Sequence, residues 1–532
     1  MMMSIIATRT MASYPILTSK YQAIAMILLC TLVILPLTAL SQDAELGQES
    51  IVYLPLVSLS RLSPLPYPNC RYGSIPLQNP VNEYDIAPLN LGWYLTHPIS
   101  TPPRPNDILP MHIVRLKGRA CSSPDCPNPE YWSEAEISPA LGDDLGQIVD
   151  SNPGSIWLIG NEPDRVYYMD DVLPTQYAQA YHDAYAFIKA RDPAAQIGIG
   201  GIVVPTPLRL EYLDKILHEY KNRYGHPMPV DVWNTHVHIV QEVRDSWGAD
   251  VPPGSDADVG ILFTKSQHAD VQTFKELIID FRSWMAAHGR QDKPLIITEF
   301  GVLWPDWLVD EFGMPFDAPR VIDFMHETMA WLDSEADPAL GYPADNYRLV
   351  QRWNWFSLDD DSIPEDNPPD HHQWNGWLFE SETRNRSVFG DAFAAFTNQI
   401  WPTNDLLAYR FRTSPPPPLV SPGETATVTL QIDISNTGNV PVDQPFTVAF
   451  YEQISDTLDL IATTTVMDPV AGCGGVVTAQ GEWSNVSSGS HQILISVDPA
   501  NAIAETSNAN NELVGVVLIP TRRLYLPITS LQ

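Results

Sequence analysis

The sequence predicts an α/β fold, a (β/α)8 barrel, followed by an all-β immunoglobulin-like sandwich. Three observations carry this. From about 85 to 402, short apolar runs alternate with amphipathic helical stretches, the pattern of a parallel sheet with helices outside. The run Pro415 to Pro418 then interrupts the chain as a stiff spacer. Beyond it, segments such as TATVTLQIDISN and HQILISVD alternate apolar and polar residues between Gly, Asn and Asp, as antiparallel strands do.

The elements follow in order. LNLGWYL (89–95) and MHIVRL (111–116) are strands, with a helix near 141–150. SIWLIG (155–160) is a strand, and a helix follows from about Thr175 to Ala190, where Tyr177, Tyr181, Tyr185 and Ile188 share one face. AQIGIGGIVV (195–204), VDVWNTHVH (230–238), PLIITEFGV (294–302) and LVQRWNWFSL (349–358) are further strands. Helices follow at LRLEYLDKILHEYKNRYG, 271–287, 319–333 and 388–399. That makes seven clear strands. The eighth is either short, between 96 and 140, or missing from a reduced barrel.

The N-terminus reads as a targeting segment. Residues 1–41 hold Arg9 and Lys20 but no acid, and 23–40 are almost wholly apolar. Ala39-Leu40-Ser41 puts small residues where a signal peptidase needs them. The expected layout is a signal peptide at 1–41 and a Pro/Ser-rich leader at 42–84. The barrel covers 85–402, a linker 403–418, the sandwich 419–520 and a tail 521–532. YLPLVSL (53–59) and YLPITSL (525–531) bracket the chain as a small repeat.

With 64 acidic and 30 basic side chains in 532 residues, the formal charge is −34. Nucleic acid and anionic membranes call for clustered Lys and Arg, so neither is an expected partner, and no membrane span is expected once the signal is cleaved. Of five Cys, Cys30 leaves with the signal, and Cys121 and Cys126 are close enough in sequence for a small loop disulfide. Cys70 and Cys473 have no evident mates. The acidic loop Asp359-Asp360-Asp361 through Glu365, Asp366 and Asp370 lacks the spacing of a calcium loop and reads as a solvated rim.

Function is expected where barrel strands end. Two apolar strands run directly into glutamate: 155–160 into Asn161-Glu162-Pro163-Asp164, and 295–298 into Glu299-Phe300-Gly301. Two convergent carboxylates are the minimum equipment for cleaving a glycosidic bond, one protonating the leaving oxygen and the other attacking the sugar or activating water. Asn161 is placed to bind a sugar hydroxyl. Of the Trp residues, Trp93, Trp304, Trp307, Trp355, Trp374 and Trp377 fall at strand ends or in the following loops, where a sugar face can stack. About half of these are expected to touch substrate, and Trp355 is placed for a subsite floor. Arg115 either braces the nucleophile or makes an ordinary barrel ion pair. His236-Val237-His238 also suggests a metal pair, but other barrel ends lack a matching ligand set, so no metal or other cofactor is expected.

WLIGNEPD (157–164) and IITEFG (296–301) resemble the two signatures of clan-A glycoside hydrolases. Counting SIWLIG as strand four puts IITEF on strand seven without adjustment. The resemblance implies that Glu162 is the acid/base, Glu299 the nucleophile, and the outcome retention. GWYL (with Trp93 and Tyr94 as substrate contacts), LPMHIVRLKG, IGNEPD and ITEFG look most like compact endo-β-1,3-glucanases. The clan often carries His-x-Tyr after strand six, with Tyr holding the nucleophile. Here the residues are His236 and His238, and His238 is expected to make that hydrogen bond. The proton on Glu162 is expected to be held by the field of Glu299 and by burial.

Past the linker, SVDPANAIAETSNANNE (496–512), ISNTGNVPV and PFTVAFYE resemble the bacterial cell-adhesion-related (CARDB) domain, which implies a spacer or cell-surface contact. The expectation is a secreted or cell-surface retaining glycosidase acting on a polysaccharide. The rival is a non-catalytic glycan-binding adhesion protein with a glycosidase-like barrel. A transglycosylase shares every catalytic residue.

Overall fold

A computed structural model describes residues 69–120, 130–364, 367–368 and 371–521. The signal segment, residues 42–68 of the leader, Cys121, Cys126, Glu365, Asp366, Asp370 and the YLP repeat lie outside the described residues. No helix among the described residues is long and apolar enough to cross a membrane.

Eight parallel strands form a barrel: β1 (Tyr72–Ser74), β2 (Trp93–Thr96), β3 (Leu109–Arg119), β5 (Ile156–Ile159), β6 (Gln196–Ile199), β7 (Trp233–Val237), β8 (Leu295–Phe300) and β9 (Arg352–Trp355). β4 (Tyr131–Ser138) is no barrel member; it pairs antiparallel with the outer end of β3. The sheet order is β6-β5-β3-β2-β1-β9-β8-β7. Isolated parallel bridges Gly198–Val232 and Ile202–Thr235 bring β6 and β7 together. The strands are buried on both faces and so read as continuous apolar runs, as in IWLI of β5.

The missing strand is β1, inside the stretch read as leader rather than between 96 and 140. Its Tyr-Gly-Ser carries no apolar run, and Gly73 is required: a Cβ there would lie 2.1 Å from Asn354 Oδ1 and 2.8 Å from the Trp93 ring.

The helices α1 (Asp143–Ser151), α2 (Pro174–Arg191), α3 (Pro207–Tyr224), α4 (Val271–Ala287), α5 (Ala318–Ser334) and α6 (Val388–Thr397) surround the barrel. Their starts follow local chemistry. Pro occupies the first turn of α2, α3 and α5, where its missing N–H costs nothing. Asp270, Asp317 and Ser387 accept backbone N–H groups at the N-termini of α4, α5 and α6. Alternate strand residues separate two cores. Leu158, Trp93 and Ile296 fill the barrel interior, while Trp157, Ile159 and Trp353 pack outward against the helices.

The sandwich has sheets β10 (Leu406–Thr413), β11 (Ala426–Asn436), β14 (Gly475–Val486) and, opposite, β13 (Thr457–Val466), β12 (Phe446–Ile454), β15 (Gly489–Val497), β16 (Glu512–Ile519). The stretch expected as linker, 403–418, therefore holds a full strand. Only its prolines are extended spacer; LLAYRFRT finds an antiparallel partner in β11.

Cys70 and Cys473 do have mates: each other. Their disulfide ties the barrel's first strand to the sandwich across 403 residues of chain, a closure typically worth about 2–5 kcal/mol. Around it, Arg71 makes a two-pronged pair with Asp345 at 2.9 and 2.9 Å and donates to Thr437 O at 3.2 Å. A cavity of about 390 Å³ is lined by the strand starts Ile156, Gln196 and Arg352 and by Tyr409, Arg410 and Gly474. The sandwich thus sits beneath the N-terminal end of the barrel, away from the opposite mouth.

Candidate active site

Glu162 owes its position to a tightly held loop. After β5, Gly160 (φ 93°) turns the chain and Glu162 adopts φ 45°, a left-handed conformation rare for glutamate. Three contacts keep it there. Glu162 N–H donates to Gly201 O at 2.9 Å. Asp170 Oδ2 accepts from Asn161 N at 2.7 Å and Leu116 N at 2.9 Å. Asp164, wholly buried, accepts from Val203 N and from Arg209 Nη1 at 2.5 Å. Arg209, also wholly buried, pairs with Glu242 at 3.1 Å and donates to Ala249 O and Asp250 O. One guanidinium, projecting from α3, thereby joins the loops after β5 and β7.

Glu299 lies near the end of β8, where a register shift pairs it with His236 of β7. His236 Nδ1 lies 3.0 Å from Glu162 Oε1 and 3.6 Å from Glu299 Oε2. His238 Nε2 lies 3.2 Å from Glu299 Oε2. One donor atom from each of Glu162, His236, His238 and Glu299 falls within 4.8 Å of the others, and all four residues are buried. Gly201 makes room for this: a Cβ there would sit 2.3 Å from the His236 ring.

The electrostatics differ from the sequence expectation. Burial pushes the Glu162 carboxyl up, but the Arg165 guanidinium at 3.3 Å and the hydrogen bond and charge of His236 outweigh it. The carboxyl is held well below the usual carboxylate range. Burial likewise pushes His236 down, yet the charges of Glu299 and Glu162 raise it above the ordinary imidazole value. Both shifts favour an ion-paired arrangement in which His236 Nδ1 faces the Glu162 carboxylate across 3.0 Å.

Several expected substrate contacts are packing residues. Trp93 is 1% exposed inside the barrel, its indole N–H donating to Arg71 O at 3.3 Å. Tyr94, 2% exposed, faces the helices and donates to Pro103 O at 2.9 Å. Trp355 is fully buried against Phe300 and Phe324, donating to Gly376 O at 2.7 Å, so it is no subsite floor. Arg115 pairs with Asp170 at 2.5 Å, not with the nucleophile position. Asn161 stays at the site, its side-chain amide donating to Met169 Sδ at 3.8 Å. Trp304 is half-buried and meets Trp247, which is 50% exposed, at a ring distance of 4.4 Å. Both line a hollow of about 130 Å³ with Lys265 and Phe263. Of the other loop tryptophans, Trp307 is exposed and stacks on His371 at 4.7 Å, while Trp374 and Trp377 are half-buried.

Arg165, Arg209, Asp170, Gly201 and Trp247 escaped the sequence reading. Arg165 had one available signal: it stands three residues after Glu162, within reach across the turn.

The CARDB family model matches residues 404–515. No curated protein matches the chain significantly. Among solved structures, a GH128 (subgroup I) endo-β-1,3-glucanase from Amycolatopsis mediterranei in complex with laminaritriose is 14% identical. It covers 61% of this chain and 98% of its own, with a TM-score of 0.37. A glucosidase from Croceicoccus marinus is 13% identical, covering 80% and 98%, with a TM-score of 0.40. The CARDB domain of a Pyrococcus furiosus protein, in complex with di-metal ions, is 19% identical, covering 23% and 99%, with a TM-score of 0.18.

Proposed function

We propose that the chain is an exported retaining β-glycosidase acting on a polysaccharide, with β-1,3-glucan the first substrate to try. One observation carries this reading: Glu162 and Glu299, at the mouth ends of the fourth and seventh barrel strands, present carboxylate oxygens no more than 4.8 Å apart. That is close to the roughly 5–5.5 Å between carboxyl groups of retaining enzymes and well short of the roughly 6.5–9.5 Å that inverting enzymes need for a water.

Glu299, steadied by His238, attacks the anomeric carbon. The leaving oxygen takes a proton from Glu162, which draws it from His236 Nδ1 across the 3.0 Å hydrogen bond. After departure of the aglycone, Glu162 deprotonates the water that releases the glycosyl-enzyme. Asn161 holds a hydroxyl of the reacting sugar, and Trp247 with Trp304 offers a stacking surface beside it. Export fits the apolar N-terminal segment and the Cys70–Cys473 disulfide, which persists in oxidising compartments. The sandwich beneath the barrel serves as the cell-surface contact.

Glu162→Gln separates this reading from its rival. Polysaccharide hydrolysis is expected to fall by about 10²–10⁴-fold while glycan binding in a pull-down persists. A parent chain that binds a glycan panel but hydrolyses none of it supports the adhesion reading instead.

A further inference from the structure

The two-histidine motif brings two ring nitrogens into the same buried cluster as the two glutamates. We propose that Glu162, His236, His238 and Glu299 together form a reversible site for one tetrahedral divalent cation of the zinc type, and that its occupancy switches hydrolysis off. Binding needs only the geometry; the inhibition rests on the reading of Glu162 and Glu299 as catalytic.

A zinc ion held at about 2.0–2.1 Å by imidazole nitrogen and carboxylate oxygen keeps neighbouring ligand atoms about 3.3–3.4 Å apart. Three neighbouring pairs here are at 3.0, 3.2 and 3.6 Å, and all four donors lie within 4.8 Å. Small side-chain adjustments therefore close a tetrahedron around a single ion. The donor set is also selective. Two imidazoles and two carboxylates suit zinc and its neighbours, whereas magnesium and calcium take oxygen ligands. Two carboxylates also match a dication in charge, leaving Arg165 on the far oxygen of Glu162 at 3.3 Å.

The affinity is set by what lies behind the rings. Permanent zinc sites anchor the second ring nitrogen of each histidine on a carboxylate or carbonyl. Here His236 Nε2 and His238 Nδ1 are buried without a hydrogen-bond partner among the described residues. The ligands are grouped but not braced, which gives a site that fills and empties. Filling it ties up both reacting carboxylates at once, so no separate conformational change is required to stop the reaction.

The test uses the full chain. Co²⁺ is titrated in as a spectroscopic probe and Zn²⁺ by calorimetry, with hydrolysis followed in parallel. The expected result is the visible absorption of tetrahedral Co²⁺, displaced by Zn²⁺ at one equivalent. Hydrolysis should fall with the same midpoint, and Mg²⁺ and Ca²⁺ should have no effect. His238→Gln, which keeps a hydrogen-bond donor near Glu299, is expected to weaken Zn²⁺ binding at least 10-fold, and His238→Ala is the second variant should the first misfold. Absence of the tetrahedral Co²⁺ signal in the parent, or unchanged Zn²⁺ affinity in a folded variant, overturns the site. Metal binding without loss of hydrolysis overturns the switch. A chain that binds Zn²⁺ but hydrolyses no glycan supports the site while overturning the hydrolase reading.

Discussion

Replacing Glu299 with alanine is expected to lower kcat/KM on a polysaccharide by about 10⁴-fold or more, a loss of ~5.4 kcal/mol in transition-state stabilisation. The side chain is short of solvent, paired by register with His236 and steadied by His238 at 3.2 Å, so nothing nearby replaces it. Deleting it also opens a space on the side of the sugar opposite Glu162. Added azide is expected to enter that space and restore turnover of an activated aryl β-glycoside, yielding the α-glycosyl azide. Product analysis by mass spectrometry and NMR reads the result. A Glu299→Ala variant that hydrolyses at the parent rate, or azide rescue of Glu162→Gln in place of Glu299→Ala, would reverse or remove the assigned roles.

The second large effect is structural. Arg209→Leu is expected to cost about 3–5 kcal/mol, because it strands two buried carboxylates, Asp164 and Glu242, without their counter-charge. It also removes donors to Ala249 O and Asp250 O. Chemical denaturation of parent and variant measures the loss. The double variant Arg209→Leu, Asp164→Asn should recover part of it, since one stranded charge is gone. Activity should fall further than stability alone explains, because Asp164 helps fix the left-handed turn at Glu162.

Much of this architecture was legible in the sequence for a physical reason. Helical periodicity is strong over 17–18 residues, so α2 to α5 fall within a few positions of where the apolar spacing puts them. The barrel glutamates were legible too, because an apolar strand running into Asn-Glu or Glu-Phe-Gly leaves few alternatives. β1 was not: three residues carry no period, and its identity lies in what surrounds Gly73. The aromatic contacts failed on facing. Both faces of a barrel strand are buried, so apolarity does not reveal which way Trp93, Tyr94 or Trp355 points. Cys70 and Cys473 are 403 residues apart, and no local pattern joins them. The low carboxyl value at Glu162 depends on Arg165 folding back over one turn, which is a property of the loop conformation rather than of its composition.

The anomeric configuration of the first product tests most directly whether Glu162 and Glu299 act as a retaining pair. Proton NMR of the parent chain acting on β-1,3-glucan oligosaccharides is expected to show the β anomer of the released reducing end first, with the α anomer growing in only by mutarotation. Initial appearance of the α anomer would contradict double displacement, and intact oligosaccharide across a panel of β-glucans would contradict the glycosidase assignment itself.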